Sequence, residues 1–273
     1  MKVTPMIVAV APNGARRTKA DHPGVPITTA EVARDAAACR EAGAVLIHLH
    51  VRDGAGRHSL DPDLYAHAMA AVRREAGPEL LVQMTTEAIG LFTPREQMAA
   101  VRAVRPEALS VAVRELVPDP SAEPTAAHFL AECVRDGMLL QYILYTRDEV
   151  ARFHDLRRRG VLPDRNASVL FVLGRLRPPR AAAPPDLDPF VTAWSGDVPW
   201  FACAFGAQEG ACALAAARQG GHARVGFENN FLLAGGAPAP GNAALVSQLV
   251  AGMRGAGRRP ATHREAVALL GGR

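Results

Sequence analysis

Short apolar runs alternate with longer amphipathic stretches along the chain. The runs are rich in branched residues and too short for helices, so they predict buried β-strands. Their continuous apolar character, without strict alternation, is typical of a parallel sheet covered on both faces. The eight runs are Met6–Ala11, Val45–Val51, Leu80–Thr86, Ala108–Val113, Leu139–Tyr145, Ser168–Leu173, Trp200–Phe205 and Ala223–Glu228.

A helix-like segment follows each predicted strand. Two of these segments begin with the pattern of a capped helix, a hydroxyl side chain with a glutamate shortly after it, at Thr28-Thr29-Ala30-Glu31 and Thr93-Pro94-Arg95-Glu96. A further helix is predicted at Thr262–Leu270, after the eighth unit. The eight segments are Thr29–Ala42, Pro62–Ala76, Pro94–Val104, Thr125–Asp136, Arg147–Arg159, Asp186–Ala193, Gln208–Gln219 and Asn242–Ala256.

Eight strand–helix units in 273 residues predict an α/β fold, a (β/α)8 TIM barrel with an extra C-terminal helix. Because no linker separates the units, we expect a single domain over residues 1–273. A doubly wound open sheet is the alternative. It is disfavoured because Asn13-Gly14, after the first strand, is not followed by the glycine pattern of a phosphate-binding turn.

Composition excludes several classes of partner. The chain has 31 basic and 27 acidic residues, and its basic residues are arginines except for Lys2 and Lys19. Aromatic residues make up only 5%, and no basic stripe carries interleaved aromatics, so binding to nucleic acid is not expected. No apolar run is long enough to span a bilayer, and the first residues lack the pattern of a signal peptide. We therefore expect small-molecule chemistry in the cytoplasm.

The four cysteines lie on different predicted elements without a Cys-x-x-Cys pair. They are Cys39, Cys133, Cys203 and Cys212. In a cytoplasmic protein this spacing predicts buried reduced thiols rather than disulfides or a metal cluster.

The second predicted strand carries two imidazoles, at His48 and His50. Side chains two positions apart in a strand share a face, so the two rings are expected to lie close together. Neutral imidazole is the commonest protein ligand for zinc, and the pair would supply half of a metal site. Two unrelated histidines, one partly buried and one at a strand end, are the alternative.

The eighth predicted strand ends with Arg224, Gly226 and Glu228 on one face. In a barrel this strand is separated from the second by the first alone, so Glu228 would reach both imidazoles at the carboxyl ends of the strands. Two histidines and one carboxylate with an open position form a catalytic zinc set. An internal salt bridge between Arg224 and Glu228 is the alternative.

These segments resemble the β-keto acid cleavage enzymes, a family whose named member is the 3-keto-5-aminohexanoate cleavage enzyme. The similarity extends over nearly the whole chain, and its most specific part is the combination of the second and third segments below. They are Ala11-Pro12-Asn13-Gly14-Ala15, His48-Leu49-His50-Val51-Arg52-Asp53 and Gly221-His222-Ala223-Arg224-Val225-Gly226-Phe227-Glu228-Asn229-Asn230.

The resemblance implies a zinc-dependent TIM barrel, usually a homotetramer, that converts a β-keto acid and acetyl-CoA into acetoacetate and a new acyl-CoA. It implies that His48, His50 and Glu228 bind Zn²⁺ and that Arg224 is the charged residue of the substrate pocket. Further expected site residues are Thr85, Asn229 and Glu87 as catalytic groups and Asn13 and Thr86 as substrate-binding groups. Backbone capping is the alternative for the two threonines.

The sequence departs from the family pattern near the expected site. Asn229 stands where the named member has an aspartate, and an amide cannot accept a proton at neutral pH. Glu87, which replaces a glycine common in relatives, or Asp53 could take its place; a solvated charge is the alternative for both. Arg16 replaces a glutamate, so a cationic substrate side chain is not expected.

The loop after the sixth predicted strand also departs from the family pattern. It carries Arg175, Arg177 and Arg180 in place of a glycine-rich turn. These arginines could contact CoA phosphates or an anionic substrate, or could be exposed.

Three functions therefore remain open from the sequence. The first is β-keto acid cleavage with acetyl-CoA. The second is a zinc-dependent barrel hydrolase, which would need further histidines on the fifth and sixth strands; Leu139–Tyr145 and Ser168–Leu173 contain none. The third is a homologue that binds metal and ligand without turnover because Asn229 has replaced the base.

Overall fold

Eight parallel strands close into a barrel in the computed structural model, which describes residues 3–271. Each strand pairs in parallel with both of its neighbours, in the order β7-β8-β1-β2-β3-β4-β5-β6. This confirms the predicted (β/α)8 architecture. The strands are β1 Val8–Val10, β2 Leu46–Leu49, β3 Leu81–Thr85, β4 Ala108–Ala112, β5 Leu139–Leu144, β6 Ala167–Leu173, β7 Trp200–Ala204 and β8 His222–Val225.

One main helix follows each barrel strand, and a ninth closes the described part of the chain. They are α1 Thr29–Glu41, α2 Pro62–Ala76, α3 Pro94–Val104, α4 Glu123–Arg135, α5 Arg147–Arg158, α6 Asp188–Ala193, α7 Glu209–Arg218, α8 Asn242–Met253 and α9 His263–Leu269. Short 3-10 segments precede or extend three of them, at Pro120–Ala122, Pro184–Leu187 and Arg254–Ala256. The predicted domain, residues 1–273, reaches beyond the described residues at both ends and stays a prediction.

The predicted helix starts are confirmed in detail. The Thr28 side chain accepts a hydrogen bond from the backbone N–H of Glu31, and the Glu31 carboxylate accepts one from the backbone N–H of Thr28. Thr93 and Glu96 form the same reciprocal pair at the start of α3. Each such cap contributes about 1 kcal/mol, because it satisfies N–H groups that the first helical turn leaves without partners.

The side chains of β2 show how the barrel is packed. Ile47 and Leu49 point outward and belong to the apolar layer between the strands and the helices. Leu46 points inward and packs with Ile7, Leu81 and Phe201 in the barrel interior. His48 follows Leu46 on that inward face, so the packed interior forms a floor below the imidazoles.

Several elements were not predicted from the sequence. Residues Thr4–Met6 pair in parallel with Arg258–Pro260 outside the barrel, and Val51–Arg52 form a small antiparallel pair with His58–Ser59. The predicted end of the eighth strand was wrong, because β8 stops at Val225 and Glu228 lies in the following turn. Gly226 breaks the strand with a φ of +138°, and a Cβ there would overlap the carbonyl oxygen of Ala11.

The cysteine prediction is confirmed, since all four cysteines are buried free thiols. Between residues 3 and 271, no helix is both long enough and apolar enough to cross a bilayer.

His222 at the start of β8 makes the stability of the fold sensitive to acid. Burial, and then the Arg258 cation, lower the pKa of its imidazole to about 3, and its Nδ1 accepts a hydrogen bond from the backbone N–H of Ile7 at 3.0 Å. Unfolded chains take up this proton near pH 6.5, so His222 stabilises the fold above that pH and its contribution falls as the pH drops towards 3. We expect the contribution to fall by about 2–3 kcal/mol between pH 7 and about pH 4.5.

His222→Gln should remove this pH dependence while keeping an acceptor for Ile7. Denaturant unfolding at pH 7 and about pH 4.5 gives the free energy of unfolding of the variant and the parent, and the two pH dependences are then compared. His67→Gln, which removes an exposed imidazole, is the matched control. A parallel pH dependence of the parent and His222→Gln would contradict the assignment.

Candidate metal centre and active site

His48 and His50 converge at the carboxyl end of β2. Both side chains are buried, and their Nε2 atoms lie 3.1 Å apart. Nδ1 of His48 is 2.8 Å from Oε1 of Gln83, the residue paired with it on β3. An amide oxygen can only accept, so Nδ1 carries the proton and Nε2 keeps a free lone pair. The sequence analysis missed Gln83, although the predicted pairing of the second and third strands places it beside His48.

Glu228 reaches the imidazoles from the turn after β8. Its backbone N–H donates to the Ala11 carbonyl at 3.1 Å, which holds the turn against the end of β1. Oε2 of Glu228 then lies 3.7 Å from Nε2 of His50 and 3.9 Å from Nε2 of His48. Gly14 leaves room for this side chain, since a Cβ there would lie 2.5 Å from Cγ of Glu228. Glu228, which follows strand eight, therefore reaches the histidines of strand two across the end of strand one, as the sequence predicted.

Two buried polar residues hold the turn that carries Glu228. The Glu209 carboxylate accepts from the backbone N–H of Gly226 at 3.0 Å, and the Asn242 side chain accepts from the N–H of Phe227 at 2.7 Å. Burial raises the pKa of Glu209 well above its usual range. The sequence analysis missed both residues because each lies in a predicted helix, where the sequence gives no sign that the side chain reaches a turn.

The three converging atoms fit a divalent metal ion. Nε2 of His48, Nε2 of His50 and an oxygen of Glu228 lie within 4.8 Å of one another. Oε2 of Glu228 is buried without a hydrogen-bond partner among the described residues. Burial, the largest cause, lowers the pKa of both histidines well below the usual range, so both rings are neutral. Neutral imidazoles beside an unpartnered carboxylate oxygen form a donor set suited to zinc.

Arg224 lies beside the carboxylate, nearly fully buried on β8. Its Nη2 donates to Oε1 of Glu228 at 3.1 Å and to Sγ of Cys203 at 3.5 Å. Its Nε and Nη1 have no partner among the described residues. The salt bridge and the metal-ligand hypotheses are thus compatible, because Glu228 uses one oxygen for Arg224 and directs the other towards the histidines. The remaining N–H groups are available to an anion.

A cavity of about 70 Å³ lies over these side chains. An outer cavity of about 410 Å³ lies at the mouth of the barrel. The two cavities share Glu87, Tyr145, Val172, Phe205 and Glu228. The inner cavity is therefore adjacent to the outer one, with the donor set below both.

Glu87 and Thr85 both line the inner cavity. Oε2 of Glu87 lies 3.9 Å from Nε2 of His50, and burial, followed by nearby Glu228, raises the pKa of Glu87 to about 8. The Thr85 hydroxyl oxygen accepts from the backbone N–H of Glu87 at 3.1 Å, which leaves its O–H free to donate into the cavity.

Among the other predicted site residues, Thr86 and Asp53 use their polar groups elsewhere, whereas Oδ1 of Asn13 and both amide atoms of Asn229 are buried without a hydrogen-bond partner among the described residues. The Thr86 hydroxyl donates to the Ser110 carbonyl, and the Asn13 amide donates to the carbonyls of Pro26 and His50. Asn229 is buried and lines neither of these two cavities. Asp53 accepts from backbone N–H groups in its own turn and pairs with Arg57. The backbone-capping alternative therefore accounts for Thr86.

Arg52, which follows the histidine strand, connects the donor set to the first loop. Its buried guanidinium donates to the carbonyls of Asn13, Gly14, Ala15 and Arg17. These bonds hold the loop that packs Gly14 against Glu228. The sequence analysis missed this function, because a single arginine after a strand does not show which carbonyls it will contact.

The chain is similar to proteins of known function over almost its full length. A family model described as beta-keto acid cleavage enzyme matches residues 5–271. The 3-oxoadipate:acetyl-CoA acetyltransferase of Cupriavidus necator is 30% identical, with 98% of this chain and 95% of that enzyme aligned. The 3-keto-5-aminohexanoate cleavage enzyme of Acetoanaerobium sticklandii is 28% identical, with 97% and 98% aligned.

Among solved structures, the apo structure of ObcA superposes with a TM-score of 0.69. The superposition covers 91% of this chain and 66% of that chain at 17% identity. At this level of identity the likeness concerns the fold alone, and it agrees with the barrel described above.

Proposed function

Because the chain belongs to the family of β-keto acid cleavage enzymes, we propose that it is a zinc-dependent C-acyltransferase that exchanges acyl groups between a β-keto acid and acetyl-CoA. The products would be acetoacetate and a new acyl-CoA. The family and the relatives described above support an enzyme that acts on β-keto acids with acetyl-CoA.

The arrangement of polar groups at the end of the barrel supports the metal-dependent exchange of acyl groups. Two neutral imidazoles and an oxygen of Glu228 converge beside Arg224; that oxygen and two guanidinium nitrogens of Arg224 have no hydrogen-bond partner within residues 3–271. A β-keto acid carries a ketone oxygen two carbons away from a carboxylate. A cation site next to a fixed guanidinium suits such a pair of oxygens, because it can hold both and neutralise their charge.

In the proposed mechanism His48, His50 and Glu228 would hold a divalent ion, which would supply Lewis acidity. Arg224 binds the substrate carboxylate through Nε and Nη1. The Thr85 hydroxyl donates to an adjacent oxygen.

The carbon between the ketone and the carboxylate loses a proton and attacks the acetyl thioester, and CoA leaves as a thiolate. The thiolate then attacks the original ketone and breaks its bond to that carbon. The carbon retains the acetyl group and regains a proton, so acetoacetate and the new acyl-CoA account for every atom. No oxidant or reductant is needed.

We assign the proton transfer to Glu87, because it is the one carboxyl group besides Glu228 that lines the inner cavity. Asn229 lacks a basic group and lines neither cavity, so it is not used for this step. Glu87→Gln should lower turnover by about 10²–10⁴-fold while the zinc content stays at the parent value. Turnover at the parent rate would place the base elsewhere, and loss of zinc would identify Glu87 as a ligand.

The proposed function is tested by incubating the zinc-loaded protein with acetyl-CoA and a panel of β-keto acids. Mass spectrometry should detect acetoacetate together with a CoA ester that carries the acyl group of the acid. Hydrolysis without a new CoA ester would support the barrel hydrolase instead. Zinc and substrate binding without any product would support the catalytically impaired homologue.

The homotetramer implied by the family resemblance and the cytoplasmic location expected from the sequence stay predictions. Light scattering of the purified protein tests the assembly state directly.

A further inference from the structure

Six arginines line the outer cavity above the donor set. They come from the loops that follow β1 and β6 and from the short helix Val113–Leu116 that follows β4, and they face only three carboxyl groups in the lining, those of Glu87, Glu115 and Glu228. The mouth of the barrel therefore carries an excess of positive charge. The six are Arg16, Arg17, Arg114, Arg175, Arg177 and Arg180.

Three of these arginines have carboxylate partners outside the cavity. Arg114 pairs with Glu149, and Arg180 pairs with Asp186 at 3.1 Å. Arg17 has a longer pair with Asp21, at 3.7 Å, and stacks on Phe231. Their charges are thus partly compensated within the protein.

The other three arginines, Arg16, Arg175 and Arg177, form no ion pair with any residue in the range 3–271. Arg175 donates through Nε to the Pro178 carbonyl, which leaves the rest of its guanidinium free. Although they form no ion pair, Arg16 lies near enough to Glu87, and Arg177 near enough to Asp21, to favour the charged form of each carboxyl group. Arg177 is also close to another cation. Burial is the main cause that lowers the pKa of Arg17, and Arg177, from another loop, adds to that lowering.

Like charges gathered around a cavity are stabilised by an anion between them. We propose that the outer cavity binds a second anionic group of the β-keto acid, so that the preferred substrate is a β-keto dicarboxylate. This inference rests on the proposed function. The two cavities are adjacent and share five lining residues, so an acid whose ketone and first carboxylate occupy the inner cavity would extend its far end towards Arg16 and Arg177. The resulting acyl-CoA would carry a free terminal carboxylate.

The phosphates of CoA could supply the same anionic chemistry, so the experiment separates the two sources. One arm uses two 3-oxo acids of equal chain length, one ending in a carboxylate and the other in a methyl group. We measure kcat/KM for both acids with the parent, Arg16→Gln, Arg177→Gln and the double variant. Arg34→Gln, which removes an exposed arginine from α1, is the matched control.

The parent should prefer the dicarboxylate by at least about tenfold, since contacts between a guanidinium and a carboxylate are charge-assisted. In the double variant this preference should fall by about 10- to 100-fold, mostly through the KM of the dicarboxylate, and Arg34→Gln should keep it. Equal use of both acids by the parent, with CoA ester formed from each, would overturn the inference while leaving the proposed function intact. Absence of any CoA ester would overturn the proposed function itself.

The second arm compares acetyl-CoA with its 3′-dephospho analogue. If the arginine variants raise the KM of acetyl-CoA alone and the two acids keep their ratio, then the cavity binds a CoA phosphate and the dicarboxylate proposal is overturned. Calorimetric titration of the metal-loaded protein with the dicarboxylate, without acetyl-CoA, gives a readout that is independent of turnover. The double variant should bind the dicarboxylate at least about tenfold more weakly than the parent.

Discussion

Replacing Glu228 by glutamine should lower the zinc affinity of the protein by more than about 100-fold, with the fold intact. The amide keeps the size of the side chain but loses the negative charge that faces the two neutral imidazoles. Changes outside the ligand set typically cost 10- to 100-fold in metal affinity, so loss of a ligand should cost more. Metal analysis after dialysis against a competing chelator measures the effect.

The loss of zinc affinity should become smaller as the substituted residue lies farther from the metal site. Gln83→Leu removes the acceptor that fixes the tautomer of His48, and it should weaken zinc binding by about 10- to 100-fold. Glu75→Gln, at an exposed position on α2, is the control and should retain the metal. Circular dichroism and thermal unfolding verify that each variant is folded. Full zinc occupancy in Glu228→Gln would refute the ligand set.

Arg224→Gln is expected to lower turnover by at least about 10²–10³-fold while the zinc content stays at the parent value. The guanidinium has two buried nitrogens, Nε and Nη1, that find no partner in the described part of the chain, and in the proposed reaction they bind the substrate carboxylate. Removal of one preorganised donor to a developing negative charge typically costs this much in kcat. Arg224→Lys should recover only part of the rate, because an ammonium group lacks the planar fork that binds a carboxylate through two donors. Steady-state kinetics on metal-loaded protein measures both variants.

The contact between Arg224 and Cys203 provides a control for packing. Cys203→Ala removes the sulfur that Nη2 contacts and leaves the pairing with Glu228 in place. We expect this variant to retain most of the activity. If Arg224→Gln turned over at the parent rate, the arginine would serve only as an internal salt bridge.

The barrel and the donor set were predictable because they depend on periodicity and order. Each barrel strand overlaps one of the predicted runs, and each strand is followed by a helix. Once the fold is a barrel, the adjacency of strands eight, one and two follows from the order of the chain. That order brings Glu228 to His48 and His50 although about 180 residues separate them in sequence.

Contacts made by turns and loops could not be predicted in the same way. Because β8 ends at Val225, the alternation of side chains along a strand cannot predict where Glu228 points. Its position depends on the following turn, which Glu209 and Asn242 hold through hydrogen bonds. The direction of the Thr86 hydroxyl also depends on a backbone carbonyl of the neighbouring strand. Such hydrogen bonds join residues distant in sequence and leave no periodic pattern.

The arginines at the mouth illustrate a second limit. Sequence alone showed many arginines, but not which of them have carboxylate partners, because a partner such as Glu149 lies on a helix distant in sequence from Arg114. Only the assembled barrel separates compensated charges from free ones.

The stacking of a small chamber beneath a wider one has a consequence for how this scaffold diversifies. The lower chamber is built from strand ends and from a turn tied down by buried hydrogen bonds, so a substitution there disturbs the reaction itself. The upper chamber is built from exposed side chains on surface loops, where most replacements leave the scaffold stable. Evolution can therefore change the substrate by replacing a few residues of the upper chamber while the reaction stays the same. Protein engineers could do likewise by transplanting the loops of the upper chamber onto an unchanged lower chamber.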